Sequence, residues 1–320
     1  MITASLMSPT VESPPERVTR DDQTILDRSD HKRYFRYKIR TADGRTVSSF
    51  CKTFTFNQIL VWHDSLGAFG YHISCLKQRR SNRKLAIWVH GGPWAPTSKD
   101  LVLEQLAFLD LGYDLYVLVY PGSSDRAVKI KGGVMDPDVV DALAEVKAAY
   151  GWGRKRYERV DVAGESFGAF VAASVAPELR ERDSLFLINP SLGGKGRLEE
   201  FYAGQGDELK IVGVTKDAAK AEAKRITDAY FARLEGYRPL RLLQSMKRLK
   251  LKLVHGGRDN LMVAEEIKSL ERLAVAGCGV DYRAENGHES AATAEQFKTF
   301  RNLIRCGNEQ RSPGENSDSN

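Results

Sequence analysis

The sequence predicts an α/β protein built around a mostly parallel β-sheet with helices on both faces. Short, continuously apolar segments, as expected for strands buried on two sides, alternate with segments whose apolar residues have helical spacing. Turns rich in glycine and proline follow most of the apolar segments. The chain has 320 residues, 42% of them hydrophobic, which is enough for one large domain with insertions.

The first part of the predicted domain has antiparallel character. Residues 34–40 alternate in part between apolar and polar, and Asp43-Gly44 is typical of a hairpin turn. Further β-type segments follow over 47–56 and 59–62. We therefore expect antiparallel strands at the leading edge of the sheet.

The strand–helix alternation occupies the rest of the domain. A helix beginning near residue 137 is indicated by Asp136-Pro137, which supplies an N-cap residue and a proline at the first helical position. Strands are predicted over 85–90, 115–120, 160–163, 185–188, 251–255 and 280–283, and helices over 101–111, 136–150, 167–175, 263–276 and 291–304. Ligands of such sheets bind beyond the carboxyl ends of the strands, which is where the candidate residues below are found.

One insertion and two terminal segments complete the predicted organisation. Residues 192–250 interrupt the alternation and are interpreted as a helical cap or lid over the strand ends. Its predicted helices cover 216–234 and 239–248. Residues 1–30 and 307–320 are polar and are predicted to be disordered, which leaves the α/β domain at 31–306.

Composition limits the range of partners. The net charge of +6 is modest for this length, and no aromatic-interleaved basic stripe or nucleic-acid motif accompanies it, so no nucleic-acid partner is expected. No segment approaches the roughly 20 apolar residues that cross a bilayer, so no membrane association is expected. The first 30 residues lack the apolar core of a signal peptide, and a cytoplasmic location is expected.

Four cysteines are present: Cys51, Cys75, Cys278 and Cys306. No pair has metal-ligand spacing, and the number is too small to suggest a disulfide framework. The simplest interpretation is four free thiols in a reducing compartment. No metal site follows from the cysteines.

The segment Gly164-Glu165-Ser166-Phe167-Gly168 matches the G-x-S-x-G pattern of a nucleophile elbow. In such a turn the serine has a strained backbone, and the flanking glycines let the strand and the following helix approach closely. The hydroxyl is presented at a helix N-terminus, whose dipole favours developing negative charge. An apolar strand before the pattern and a small-residue helix after it favour this interpretation over an ordinary glycine-rich turn. Ser166 is therefore the candidate nucleophile.

A serine hydroxyl needs an adjacent general base to act as a nucleophile at neutral pH. Of the six histidines, three precede the strand–helix alternation, and His90 and His255 end predicted strands. His288 lies between the last strand and the last helix, where the chain order serine, acid, histidine places the base. His288 is the candidate base, and the alternative is an ordinary surface histidine.

The imidazole of such a base needs a carboxylate that sets its tautomer and stabilises its protonated form. Asp259 follows the strand predicted over 251–255 and is the candidate acid. Its alternative role is to cap the helix that follows. Asp281 falls inside a predicted strand and is expected to be structural.

Two N–H donors are expected to bind the oxyanion of the reacting carbonyl. One is the backbone N–H of Phe167. The second is expected from His90-Gly91-Gly92-Pro93-Trp94, with Gly92 as the donor and Gly91 as the alternative, because glycine lets a peptide plane turn into the site. Trp94 and Tyr120 are expected to border the substrate pocket, although aromatic residues beside a site often serve packing alone.

These motifs, in this order, resemble the α/β-hydrolase superfamily and, more narrowly, the catalytic domain of the prolyl-oligopeptidase family of serine peptidases. The resemblance covers roughly residues 34–306. It rests on His90-Gly91-Gly92-Pro93, Tyr120-Pro121-Gly122-Ser123, the elbow at Ser166, His255-Gly256 with Asp259, and Gly287-His288. It implies a Ser166–His288–Asp259 triad and an oxyanion hole formed by Gly92 and Phe167. The 320 residues leave no room for the N-terminal β-propeller of that family, so none is expected among them.

The residues and the resemblance together predict a serine hydrolase that works through an acyl-enzyme, with no metal or organic cofactor, on a peptide or another small molecule. The resemblance favours a peptidase or amide hydrolase. A carboxylesterase acting on small esters is an alternative, because one triad serves both reactions. A third possibility, of a different class, is a ligand-binding protein that keeps the hydrolase fold but turns over negligibly.

Overall fold

The computed structural model describes residues 32–33, 38–40, 46–48, 54–63, 66–75, 83–91, 102–119, 139–192, 221, 232, 236–256, 264–281 and 294–306. Its strands are β1 (Lys32–Arg33), β2 (Lys38–Arg40), β3 (Thr46–Ser48), β4 (Phe54–His63), β5 (Leu66–Cys75), β6 (Lys84–Val89), β7 (Tyr113–Leu118), β8 (Arg159–Glu165), β9 (Leu185–Ile188), β10 (Leu251–His255) and β11 (Ala274–Asp281). Its helices are α1 (Leu103–Asp110), α2 (Val139–Arg154), α3 (Phe167–Ala172), a 3-10 helix (Ala173–Glu178), α4 (Pro239–Ser245), α5 (Ala264–Leu273) and α6 (Ala294–Arg305). The predicted disordered segments lie outside the described residues.

Nine of the described strands form one sheet in the order β1-β4-β5-β7-β6-β8-β9-β10-β11. The six strands from β7 to β11 in this order are parallel to one another. The remaining three are antiparallel and lie at one edge, as predicted. Strands β2 and β3 form a separate antiparallel pair with Ile39 opposite Val47, as the Asp43-Gly44 hairpin prediction requires. The mostly parallel sheet confirms the predicted fold class.

Helices cover both faces of the sheet, which explains the continuously apolar strands. In β6, Ile87 packs into the core shared with α2, α3, α4 and α5, while Trp88 packs into the core shared with α1 and α6. Neighbouring strand residues point to opposite faces, so a strand covered on both sides needs apolar residues at every position. Ile87 and Trp88 are accordingly 0% and 1% exposed.

Buried aspartates lie at the amino-terminal ends of the parallel strands, at the opposite end of these strands from Ser166. Asp114, Asp161 and Asp183 each accept hydrogen bonds from one tyrosine and one arginine, so each buried charge is paired. The pairs are Tyr157 (2.8 Å) and Arg83 (3.0 Å) on Asp114, Tyr113 (2.9 Å) and Arg159 (2.9 Å) on Asp161, and Tyr150 (2.8 Å) and Arg180 (2.7 Å) on Asp183. Burial, followed by the nearby carboxylate, raises the pKa of all three tyrosines, which keeps them protonated as donors.

The expectation of free thiols is wrong for Cys278 and Cys306. They form a disulfide with Cα atoms 5.8 Å apart, a normal separation for such a bond. Cys278 is fully buried in β11, and Cys306 immediately follows α6. The fold, rather than the spacing along the chain, brings the two residues together.

The boundary between α5 and β11 also differs from its prediction. The sequence predicts a helix to residue 276 and a strand from residue 280, whereas the helix ends at Leu273 and the strand begins at Ala274. Ala274 pairs with Leu251 and Gly279 with Leu253, so pairing with β10 overrides the weak local preference. Asp281, predicted to lie inside a strand, is the last residue of β11.

Most of the predicted cap, residues 192–250, lies outside the described residues. Its last predicted helix is present as α4, where Leu243 is fully buried in the core shared with α2 and α3. This part of the segment therefore belongs to the packed domain, and a lid over the strand ends remains a prediction for the rest. No helix among the described residues is long and apolar enough to cross a membrane.

Candidate active site

Ser166 occupies the turn between β8 and α3 with φ 52° and ψ −120°. A positive φ is uncommon for any residue with a side chain and marks a strained backbone. Within the described part of the chain, Asn189 is the one other non-glycine residue with a positive φ. The backbone of Ser166 thus has the strained geometry that a nucleophile elbow requires.

The glycines on either side of Ser166 allow the close approach that this turn needs. A Cβ on Gly164 would collide with the carbonyl oxygen of Gly168 and stand 2.6 Å from the Cα of Ala169. A Cβ on Gly168 would collide with the carbonyl oxygen of Val89 and stand 2.5 Å from that of His90. The G-x-S-x-G pattern is therefore a packing requirement between β6, β8 and α3.

Backbone hydrogen bonds hold Ser166 against the end of β9. The Ser166 N–H donates to the carbonyl of Ile188 at 2.9 Å, and the Ser191 N–H donates to the carbonyl of Ser166 at 3.1 Å. The Ser166 carbonyl also accepts the N–H of Ala169 at 3.1 Å. The backbone N–H and the carbonyl of Ser166 are therefore both hydrogen-bonded, which stabilises its strained conformation.

Gly91 lies directly beside Ser166. A Cβ on Gly91 would stand 3.0 Å from the Cβ of Ser166 and 3.7 Å from its hydroxyl oxygen. Gly91 is the second residue after β6, in the segment predicted to supply an oxyanion donor. The structure thus brings the start of that segment to the candidate nucleophile.

His90 forms a hydrogen bond within this turn. Its Nδ1 lies 2.9 Å from the carbonyl oxygen of Gly91, which only accepts hydrogen bonds, so Nδ1 carries the proton and donates. Burial lowers the pKa of His90 to about 4, against a small opposing effect of this hydrogen bond. His90 is therefore neutral at physiological pH.

Phe167 begins α3, with its side chain buried and its ring stacked on that of Phe170 at 5.9 Å. Its packing anchors the turn immediately after Ser166. The first N–H groups of a helix have no acceptor within the helix and face groups beyond its end. The role of the Phe167 N–H as an oxyanion donor remains a prediction.

The remaining predicted site residues lie outside the described part of the chain. They are Gly92, Trp94, Tyr120, Asp259 and His288. The described strands nevertheless show where the chain leaves the sheet before two of them. Strand β10 ends four residues before Asp259, and β11 ends seven residues before His288, both at the edge of the parallel sheet where Ser166 lies. The roles of these residues remain predictions.

Two residues beside Ser166 were not anticipated from the sequence. Asn189 and Ser191 follow β9 and are almost fully buried, at 1% and 2% exposed. Asn189-Pro190 is a recognised turn signal, so a turn here was detectable, but its contact with the elbow was not.

The histidine that ends β10 forms an ion-pair contact with α5. The Nε2 of His255 lies 3.3 Å from the carboxylate of Glu271.

Comparisons with known proteins show the fold. No protein-family model matches the chain, and no curated protein matches it. Among solved structures, it is similar to the Pyrococcus furiosus esterase Pf2001 (17% identity, 78% of this chain and 89% of that one, TM-score 0.53). It is also similar to TT1662 from Thermus thermophilus (14% identity, 81% and 99%, TM-score 0.53) and to Est1E from Butyrivibrio proteoclasticus with ferulic acid bound (14% identity, 77% and 97%, TM-score 0.51). The predicted α/β-hydrolase fold is confirmed.

Proposed function

We propose that this chain is a serine hydrolase that transfers acyl groups to water through a covalent intermediate on Ser166. The strongest support is the strained backbone of Ser166 combined with the close approach of Gly91. Backbone strain of this kind persists only where the surrounding structure holds it, and it concentrates at active sites. The buried packing of Phe167 and the hydrogen bonds to the end of β9 hold it here.

In the proposed mechanism, Ser166 attacks a carbonyl carbon while His288 takes its proton. Asp259 orients the imidazole and stabilises its protonated form. The N–H groups of Phe167 and Gly92 stabilise the tetrahedral oxyanion. His288 then protonates the leaving group, and water hydrolyses the acyl-enzyme by the same steps. The mechanism uses no metal and no organic cofactor.

Several details of this mechanism depend on residues around the reacting atoms. Gly91 is the alternative oxyanion donor, and its position beside Ser166 supports a role for this segment. Trp94 and Tyr120 are proposed to line the pocket for the substrate. We propose no role for a nucleic acid or a membrane.

Two substrate classes are proposed, each on its own support. The resemblance to the prolyl-oligopeptidase motifs favours peptides or other amides. Carboxylic esters are favoured by the structural similarity to Pf2001, which is described as an esterase. Because one triad hydrolyses both classes, initial rates on p-nitrophenyl esters and on aminoacyl and peptidyl amides, measured on one preparation, decide between them. Because activated esters react more readily with either kind of enzyme, turnover of the amides identifies an amide hydrolase or peptidase, and turnover of the esters alone identifies an esterase.

Labelling by a fluorophosphonate probe tests the proposed nucleophile. The folded wild-type protein is expected to label, and Ser166→Ala to lose labelling, with kcat reduced by about 10⁴-fold or more in Ser166→Ala and in His288→Ala. Ser245→Ala, at an exposed position on α4, is the matched control and should label normally. Labelling that persists in Ser166→Ala contradicts the proposal. A folded wild type that neither labels nor turns over favours the ligand-binding alternative.

We propose a cytoplasmic location, as the composition of the first 30 residues suggests. The disulfide between Cys278 and Cys306 opposes it, because structural disulfides are rare in reducing compartments. Acid quenching of native cells, followed by alkylation and mass spectrometry of the two cysteine peptides, decides between the compartments. Alkylated thiols favour the cytoplasm, and an intact bond favours an oxidising compartment.

A further inference from the structure

The turn that follows β9 contacts the strained residue Ser166 on both sides. We refer to residues 188–191 as the 188–191 turn. The carbonyl of Ile188 accepts the N–H of Ser166, and the N–H of Ser191 donates to the carbonyl of Ser166. One short segment thus binds both backbone polar groups of the candidate nucleophile, which fixes the peptide planes on either side of it.

Asn189, in the middle of this turn, has a left-handed backbone with φ 43°. The next residue is Pro190, and a proline disfavours folded conformations of the residue before it and pushes that residue towards extended backbone. Asn189 therefore holds its conformation against local preference. Such an outlier indicates that the surrounding structure imposes the conformation and points to a function for it.

The surroundings that impose this conformation connect three strand ends. The Asn189 N–H donates to the carbonyl of Val254 near the end of β10, at 2.7 Å, and Asn189 is 1% exposed. The backbone bends sharply at Asn189, so the Ile188 carbonyl and the Ser191 N–H, on either side of it, both reach Ser166. A turn relaxed to extended backbone at residue 189 would separate these two groups, and at least one of the two hydrogen bonds would be lost.

We propose that Asn189 is a positioning residue for Ser166, and that its left-handed backbone, rather than its side-chain chemistry, keeps the 188–191 turn in contact with the nucleophile. The proposal rests on the proposed hydrolase function. Among residues with a side chain, asparagine and aspartate tolerate the left-handed region best, and glycine adopts it without penalty. Activity should therefore decrease as the residue at position 189 becomes less tolerant of the left-handed backbone.

A substitution series at residue 189 tests the proposal with p-nitrophenyl acetate and a fluorophosphonate probe. Asn189→Gly and Asn189→Asp keep access to the left-handed region, whereas Asn189→Ala and Asn189→Val progressively lose it. We expect kcat and the maximal labelling rate to fall about tenfold or more in Asn189→Ala and further in Asn189→Val, because small misplacements of a reacting group reduce rates strongly. In Asn189→Gly both rates should stay within about threefold of wild type. Asn189→Asp also places a carboxylate at a position that is 1% exposed, so its thermal unfolding midpoint should fall. KM should change little throughout.

Tyr150→Phe is the control for a general loss of stability. It removes the hydrogen bond to Asp183, which lies just before the amino-terminal end of β9, whereas Ser166 contacts the carboxyl-terminal end of that strand. This variant should lower the thermal unfolding midpoint without changing kcat or the labelling rate. Recovery in Asn189→Gly supports a backbone role even if Asn189→Val does not fold.

Two outcomes would overturn the proposal. If Asn189→Gly is as slow as Asn189→Ala, the side chain and not the backbone conformation matters. If Asn189→Ala reacts at the wild-type rate, the turn does not position Ser166. Loss of labelling in Ser166→Ala is measured in the same experiment, so failure of the hydrolase function is recognised separately.

Discussion

Gly91 packs against Ser166 so closely that a Cβ on Gly91 would stand 3.0 Å from the Cβ of Ser166. Carbon atoms in favourable contact lie about 3.5 to 4.0 Å apart, so even a methyl group at residue 91 requires movement. The same Cβ would be in van der Waals contact with the carbonyl oxygen of Glu165, 3.4 Å away. The segment after β6 therefore reaches the nucleophile because residue 91 has no side chain.

Gly91→Ala is expected to lower kcat on p-nitrophenyl acetate by about ten- to a hundredfold, since the oxyanion segment and Ser166 would be pushed apart. KM should change less than kcat, because the substrate still binds while the reacting groups are misplaced. Steady-state kinetics and thermal unfolding of the same preparation measure both effects. Gly279→Ala is the control, since a Cβ there has no neighbour within 4 Å. An unchanged kcat in Gly91→Ala would exclude a close catalytic role for this segment.

Gly168→Ala is expected to lower the stability of the whole domain and not only its catalytic activity. The new Cβ would collide with the carbonyl oxygen of Val89 and stand 2.5 Å from that of His90, and neither backbone atom moves without displacing β6. Overpacking of this kind costs about 3 kcal/mol or more of the free energy of unfolding. Urea unfolding followed by circular dichroism measures the loss. Gly279→Ala again serves as the reference, and equal stability of the two variants would show that the elbow relaxes easily.

The elbow was predictable from sequence because its chemistry is local. Gly164, Ser166 and Gly168 form one short pattern, and the apolar strand before it is buried on both faces. The parallel strands were predictable for the same reason, since each is a short apolar segment bounded by turn residues. Features that depend only on residues close together in the chain can therefore be predicted from the sequence.

Features that depend on distant parts of the chain were not predictable in this way. The left-handed conformation of Asn189 is held by the carbonyl of Val254, which lies 65 positions further along. Cys278 and Cys306 meet only because β11 and α6 pack together. The beginning of β11 at Ala274 reflects pairing with Leu251 rather than local preference.

Removal of the Cys278–Cys306 disulfide is expected to destabilise the domain without abolishing the fold. The cysteines are separated by 28 positions, and a bond closing a loop of that size contributes about 3 to 4 kcal/mol by restricting the unfolded chain. Urea unfolding of Cys278→Ala/Cys306→Ala against wild type measures the difference. A dithiol reductant should shift wild type towards the variant and leave the variant unchanged.

Alkylation provides an independent check on this bond. Without reductant, the denatured wild type should leave the peptides with Cys278 and Cys306 unmodified by iodoacetamide, and reduction should make both reactive. Immediate alkylation of both peptides without reductant would show that the bond is absent from the isolated protein.

Lys252 is a buried lysine in β10 that forms hydrogen bonds with the end of α6. Its Nζ donates to the carbonyls of Leu303 at 3.0 Å and Ile304 at 2.9 Å and lies 4.8 Å from the centre of the Phe186 ring. The residue is 1% exposed. Burial lowers the pKa of Lys252 from 10.5 to about 7, although Asp161 opposes this shift.

Lys252→Met is expected to change how stability depends on pH. Between about pH 7 and pH 10.5 the unfolded chain binds the Lys252 proton more tightly than the folded protein does, so this group makes wild-type stability rise with pH. The free energy of unfolding of wild type minus that of Lys252→Met should therefore increase across this window, by up to about 1.4 kcal/mol per pH unit. Urea unfolding at several pH values measures the difference, in which the titrations shared by both proteins cancel. Lys298→Met, at an exposed position on α6, should give a flat difference, and a flat difference for Lys252→Met as well would show that Lys252 stays protonated in the folded protein.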